Sequence, residues 1–160
     1  MTERLKAHSK MLRSLFLLGI PLAFLLSGPP RVFSSEPVSG ILKGKTDQGY
    51  SFMSGGVGME ERDRMKKQAN QYDLQLSFAA RSGDYVSDVR VVIDDEHGNQ
   101  IVNKTTAGPW FYVELPTGKY DVKATLNHRT EEINNLEISK DQRTVRLLHW
   151  DVPDSRIAGL

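Results

Sequence analysis

The 160-residue chain contains no cysteine. No disulfide can brace it and no thiolate can serve as nucleophile, and a lipid anchor is excluded because it needs an acceptor thiol. The chain also lacks a long apolar run. The longest, from Leu15 to Leu26, covers about 12 residues and is broken by Gly19 and Pro21, where a spanning helix needs about 20. A strong charge of either sign is missing too, with 21 basic residues against 20 acids, so there is no basic footprint for nucleic acid. No serine sits in a Gly-x-Ser-x-Gly elbow, and neither repeats nor low-complexity tracts occur.

What is present begins with an export signal. Arg4, Lys6, Lys10 and Arg13 precede the apolar run, and Ser27, Gly28 and the Pro29–Pro30 pair follow it. A positive start, a short apolar centre and a small-residue exit define a secretory signal peptide. Val32 and Ser34 suit the positions three and one before a cut, which places the signal peptide at 1–34. Its removal takes five of the 21 basic residues and one of the 20 acids, leaving 16 against 19 and a formal net charge of −3. An export signal without cysteine suits a bacterial periplasm, with membrane contact only through the signal segment before cleavage. About 125 residues remain, enough to fold by core burial alone.

Residues 35–58 read as an extended lead-in that ends in the glycine-rich loop Ser54-Gly55-Gly56-Val57-Gly58, with Ile41-Leu42 able to add an edge strand. Over 59–71 glycine and proline are absent, and Met65, Ala69 and Tyr72 recur at helical spacing. Glu60 and Glu61 lie early and Lys66 and Lys67 late, as the helix dipole prefers, which predicts one short amphipathic helix. From Asp73 the period becomes two. Strands are expected at 73–80, 85–93, 100–105, 110–115, 120–126, 130–138 and 143–150, separated by glycine, proline and asparagine turns. Seven short strands predict an all-β, seven-stranded antiparallel β-sandwich over 72–150, with a tail at 151–160. In the turn Pro116-Thr117-Gly118-Lys119, proline presets the bend and Gly118 is expected at positive φ. Tyr120 re-enters the core edge with its hydroxyl free to reach a backbone group.

These residues carry a family likeness. Val91-x-Ile93-x-Asp95-x-x-Gly98, an aromatic strand, then Leu115-Pro116-Thr117-Gly118-Lys119-Tyr120-x-Val122 resembles the carboxypeptidase regulatory-like domains, which are prealbumin-like (transthyretin-like) sandwiches. Gly55-Gly56-Val57-Gly58-x-Glu60-Glu61-Arg62 with Gly108-Pro109-Trp110 resembles a stand-alone proteobacterial periplasmic branch. The resemblance implies a prealbumin-like fold and a role beside other parts, without catalysis. The same fold also hosts a purine-pathway hydrolase ending in Tyr-Arg-Gly-Ser. This chain ends Arg156-Ile157-Ala158-Gly159-Leu160, which does not match.

Candidate chemistry is sparse. His97, His128 and His149 show no zinc-ligand spacing. Asp94, Asp95, Glu96 and Asn99 offer oxygens that suit calcium, but lack its twelve-residue pattern and read equally as a solvated hairpin tip. The glycine loop has no Lys-Ser/Thr for a nucleotide, and Glu60 and Glu61 would repel an anion at the helix start. Its glycines therefore read as a close backbone contact between helix and sheet. Trp110 and Tyr112 share one face of their strand, leaving two alternatives. The helix face of Met65, Ala69 and Tyr72 covers them, or they form a surface for a partner or a glycan. The binding candidates are Trp110, Tyr112 and Tyr85, with Gly55, Gly56, Gly58 and Arg62. No catalytic residue, metal ligand or cofactor is assigned. The expected function is a periplasmic non-catalytic module that binds or scaffolds another envelope protein or a glycan, working through a sandwich edge and the Trp110 surface. The alternative is a hydrolase on the same fold using converged histidine and acid residues.

Overall fold

The structure, a computed structural model, describes residues 40–140 and 142–151. The expected signal peptide, the first residues of the lead-in and the tail after Asp151 lie outside the described residues. In chain order the elements are β1 (Leu42–Lys45), β2 (Ser51–Gly55), α1 (Met59–Gln68), β3 (Leu74–Ala80), β4 (Arg90–Asp95), β5 (Gln100–Thr105), β6 (Trp110–Val113), β7 (Gly118–Leu126), β8 (Arg129–Ile138) and β9 (Thr144–Trp150). A 3-10 turn, Ala69–Gln71, ends the helical stretch.

The strands form two sheets, β1-β2-β6-β3-β9 and β5-β4-β7-β8. Alternation explains how they share a core. Phe52, Leu74, Leu76, Phe78, Phe111, Val113, Leu148 and Trp150 point from the first sheet toward Val91, Ile93, Val122, Ala124, Leu136 and Ile138 of the second. Phe52 stacks on Phe111 at 5.7 Å and Phe78 tilts against Trp150 at 6.0 Å. Aromatic pairs at such separations add to the burial of their surface.

Several expectations need correction. Nine strands are described rather than seven, because the supposed lead-in pairs as β1 and β2. Ser54 and Gly55 belong to β2, so the glycine loop is shorter than its glycine content implies. The architecture is also not wholly antiparallel, since β9 runs parallel to β3 from Leu74↔Thr144 to Ala80↔Trp150. Parallel neighbours require a crossover, and here everything from β4 to β8 supplies it. The strand expected at 85–93 begins only at Arg90, because Asp88 sits at φ 58 and Tyr85 makes an isolated bridge to Ala79. Gly118 is not at positive φ. It opens β7, where a Cβ would lie 3.6 Å from the Tyr120 ring, and the hydroxyl of that ring donates to the Pro116 carbonyl at 2.9 Å.

Trp150 anchors the end of β9 in the core. Its ring is almost fully buried and its Nε1 donates to the Arg129 carbonyl at 3.0 Å. Trp150→Ala should therefore lower unfolding stability by about 3–5 kcal/mol, measured by urea denaturation. Trp150→Phe should recover part of the loss, since it keeps an aromatic contact with Phe78 and forfeits the indole hydrogen bond and part of the buried volume.

Candidate functional site

The outer face of the five-stranded sheet carries most of the candidate residues. Register places them in rows. Trp110 lies beside Ser77 and Leu147, Tyr112 beside Gln75 and Val145, and Tyr85 beside Ala79 and His149. Over the β2–β6 side of this face lies α1. Met65 and Ala69, with Tyr72, bury Met53, Trp110 and Tyr112 in a second apolar cluster. Trp110 and Tyr112 are only 8% and 5% exposed, so they are interior residues and do not form a binding surface. Each β3 side chain on this face is small or polar, and Gln75 is satisfied by donating Nε2 to the Ala69 carbonyl at 3.0 Å.

The glycine loop is the hinge that returns the chain over this face. Gly56 sits at φ +89, and a Cβ there would lie 3.2 Å from the Trp110 ring. A Cβ on Gly55 would meet the Ile41 backbone at 3.1 Å. Gly58 differs, since it caps the helix at φ −96 with open space around it. The partner that fixes the loop is Gly108, where a Cβ would fall 2.4 Å from the Gly55 carbonyl oxygen.

The loop's own amides are already engaged. Glu61 Oε2 accepts from Gly56 N at 3.0 Å and Val57 N at 3.1 Å. Arg62 donates to the Gly56 and Val57 carbonyls at 2.8 and 3.0 Å. A carboxylate of the chain thus occupies the place an anion would take, and the loop and helix start are locked as one unit. Arg62 also lies over the Tyr85 ring at 5.6 Å, and Lys66 over Trp110 at 5.8 Å, within the range of cation–π attraction. Of the candidate set, Arg62 and Tyr85 come together, while Gly55 and Gly56 serve the backbone fold.

The histidines and acids are dispersed. His97 lies in the β4–β5 turn and His128 in the β7–β8 turn. Because Asp95 pairs with Tyr120 and Arg90 with Thr125, these turns stand at opposite ends of their sheet. The carboxyl of Asp95 is held below its ordinary range, first by the Asn99 side-chain amide and then by the backbone N–H groups of Asn99 and His97. Its oxygens stabilise the hairpin. Among the described residues no group of three His, Asp or Glu converges on a metal position.

Sequence reasoning missed two features. A cleft of about 460 Å³ opens beside the β1–β2 hairpin, lined by Lys43, Phe52, Gln71, Tyr72 and Glu114. Burial and the Glu114 charge push the Tyr72 phenol up, and Lys43 is tied to Gln68 Oε1. The second is β9 itself, an edge strand with Val145 57% and Leu147 52% exposed. Tyr85, two residues across the same face, is 54% exposed. The alternation at 143–150 was legible, but only the register shows that the helix stops short of this strand. No family model, curated protein or solved structure matches the chain.

Two outcomes follow. Alanine at the three glycines should destabilise in the order Gly108, Gly56, Gly58. Gly56→Ala loses about 1–3 kcal/mol through its strained φ, and Gly58→Ala changes stability by less than about 0.5 kcal/mol, the unfolded-state gain offsetting a weaker cap. Urea titrations of the three variants decide this. The second concerns pH. Burial pushes the Tyr112 phenol up to about 12 from 10.0, so the folded state keeps a proton that the unfolded chain releases. Its stabilisation is complete below pH 10 and is lost as pH rises to about 12. Tyr112→Phe should flatten the fall in stability across that window.

Proposed function

We propose that the protein is an exported periplasmic module that binds another envelope protein by accepting one of its strands at β9, and that its two sheets form a prealbumin-like sandwich of the carboxypeptidase regulatory-like kind. The export signal over 1–34 supports the location. The turn at 115–120 and the shared core of the two sheets support the fold. The observation that carries the function is the open edge of β9, with two large apolar side chains standing in solvent beyond the part of the face that the helix covers.

Strand addition draws affinity from backbone hydrogen bonds and specificity from alternate side chains. Thr144 N donates to the Asp73 carbonyl, and Trp150 accepts from Arg81 N, so the even-numbered residues of β9 turn their backbone groups to β3. Val145, Leu147 and His149 turn theirs to the free edge, and their side chains lie on the outer face. Two of the other edges, β1 and β8, are less inviting. β1 carries Lys43 and Lys45, charges that natural proteins use to blunt edges. β8 has its Arg129 and Glu137 carbonyls bonded by the side chains of Trp150 and Thr144, whereas on the free edge of β9 the Val145 carbonyl accepts from the flexible, exposed Arg146 side chain.

A photo-crosslinking residue at position 147 of the full chain, expressed in Gram-negative cells, should give a discrete adduct with an envelope protein. The same residue at 134, exposed on β8, should not. Deleting residues 1–34 should abolish the adduct by keeping the chain in the cytosol. Equal labelling from both positions would refute binding at β9, and an unchanged adduct from the truncated chain would refute export.

A further inference from the structure

We infer that the strand accepted at β9 is an extended acidic segment, in which apolar residues alternate with aspartate or glutamate. The inference rests on the strand-addition reading and adds the chemistry of the partner. From Arg143 to Trp150 the chain carries Arg143, Arg146 and His149 and no acid. Neither arginine makes an ion pair with any described carboxylate. Arg146 donates only to the neighbouring Val145 carbonyl, at 2.8 Å.

Parity sorts these groups. Val145, Leu147 and His149 share the outer face, so a paired strand would set its own outward side chains against two exposed apolar residues. Arg146 has the opposite parity, with the buried Leu148 and Trp150, yet remains exposed. A paired residue there meets a guanidinium, for which a carboxylate is the matching group. Arg143 stands at the start of the strand, near enough to Tyr112 to act on its phenol, and offers a second cation at one end.

The competing charges are weaker. Asp63 lies 3.8 Å from Lys66 and Asp151 is paired with Arg81 at 2.8 Å. Glu131 and Glu132 belong to β8, whose edge lies beside β9 at the Trp150–Arg129 and Thr144–Glu137 hydrogen bonds, yet neither forms an ion pair with Arg143 or Arg146. A second copy of this chain fits less well. Two-fold antiparallel pairing centred on Leu147 would set the two Arg146 side chains as diagonal neighbours about 7–8 Å apart, both positive and on the same face.

The test uses the full chain and dye-labelled, end-capped peptides as long as the seven residues of β9. One alternates valine with glutamate, one alternates valine with lysine, and a third repeats the first with alternate amides N-methylated. Fluorescence anisotropy should show the glutamate peptide binding at least about tenfold tighter than the lysine peptide, and the N-methylated peptide should not bind. Hydrogen exchange should slow at Val145, Leu147 and His149 when the glutamate peptide is bound. Arg146→Gln should remove most of the preference and Arg146→Glu should reverse it, with far-ultraviolet circular dichroism showing both variants folded. Equal affinity for the two peptides would overturn the acidic partner while leaving strand addition standing. No protection of β9 by either peptide would overturn both. A concentration-dependent dimer that protects the same amides without peptide would assign the edge to a second copy, and would overturn the inference as well.

Discussion

The contact of Met65, Ala69 and Tyr72 with Met53, Trp110 and Tyr112 decides how the rest of the molecule is arranged. A five-stranded sheet has two faces, and one of them is committed to the core shared with the four-stranded sheet. The other must be covered or left wet. A helix of ten residues spans about 15 Å, while five strands spaced about 4.8 Å apart extend farther. The helix therefore covers β2, β6 and the near side of β3. Those strands become buried on both faces, and β9 does not.

This geometry explains the glycine loop better than any ligand does. To lay the helix on the outer face, the chain must reverse immediately after β2 and pass against Trp110. Gly56 supplies the positive φ, and Gly108 allows the Gly55 carbonyl to approach the start of β6. Four hydrogen bonds to Glu61 and Arg62 then engage the backbone groups of Gly56, which are half-buried, and of Val57, which are exposed. Buried or half-buried backbone groups need such partners. Placed one after the other at the helix start, an acid and a base close the loop from both sides, with the acid also where the helix dipole favours it.

How far the sequence discloses this depends on the kind of information each element carries. The run from Tyr120 to Leu126 alternates cleanly because one face is core and the other solvent, so its strand is legible residue by residue. The helix is legible from the spacing of Met65, Ala69 and Tyr72. By contrast, β2 reads Ser-Phe-Met-Ser-Gly and is buried at both Phe52 and Met53. A strand covered on both faces loses its period of two, and its glycine makes it look like loop. The direction of β9 was not legible either, since alternation is the same in parallel and antiparallel pairing. Of the candidate site, the pairing of Trp110 with Tyr112 was visible, but their burial depended on where the helix lands. The exposure of Val145 and Leu147 was hidden for the same reason.

The parallel pairing of β9 has a functional consequence. Had this strand closed against β8, its apolar outer residues would have continued into the second sheet and the edge would have vanished. Instead the chain crosses between sheets after Ile138, and β9 pairs with β3 alone. Its inward side chains sew the two sheet edges together, Thr144 to the Glu137 carbonyl and Trp150 to the Arg129 carbonyl. The same alternation forces Val145 and Leu147 outward and turns their backbone groups away from β3. A strand fixed firmly on one side and unpaired on the other is already in the geometry that a strand-adding partner needs, so ordering it adds no entropy cost to binding. Isolated apolar side chains on a protein surface need no explanation. Two of them at alternate positions of an unpaired, preordered edge make a surface with a defined shape and direction.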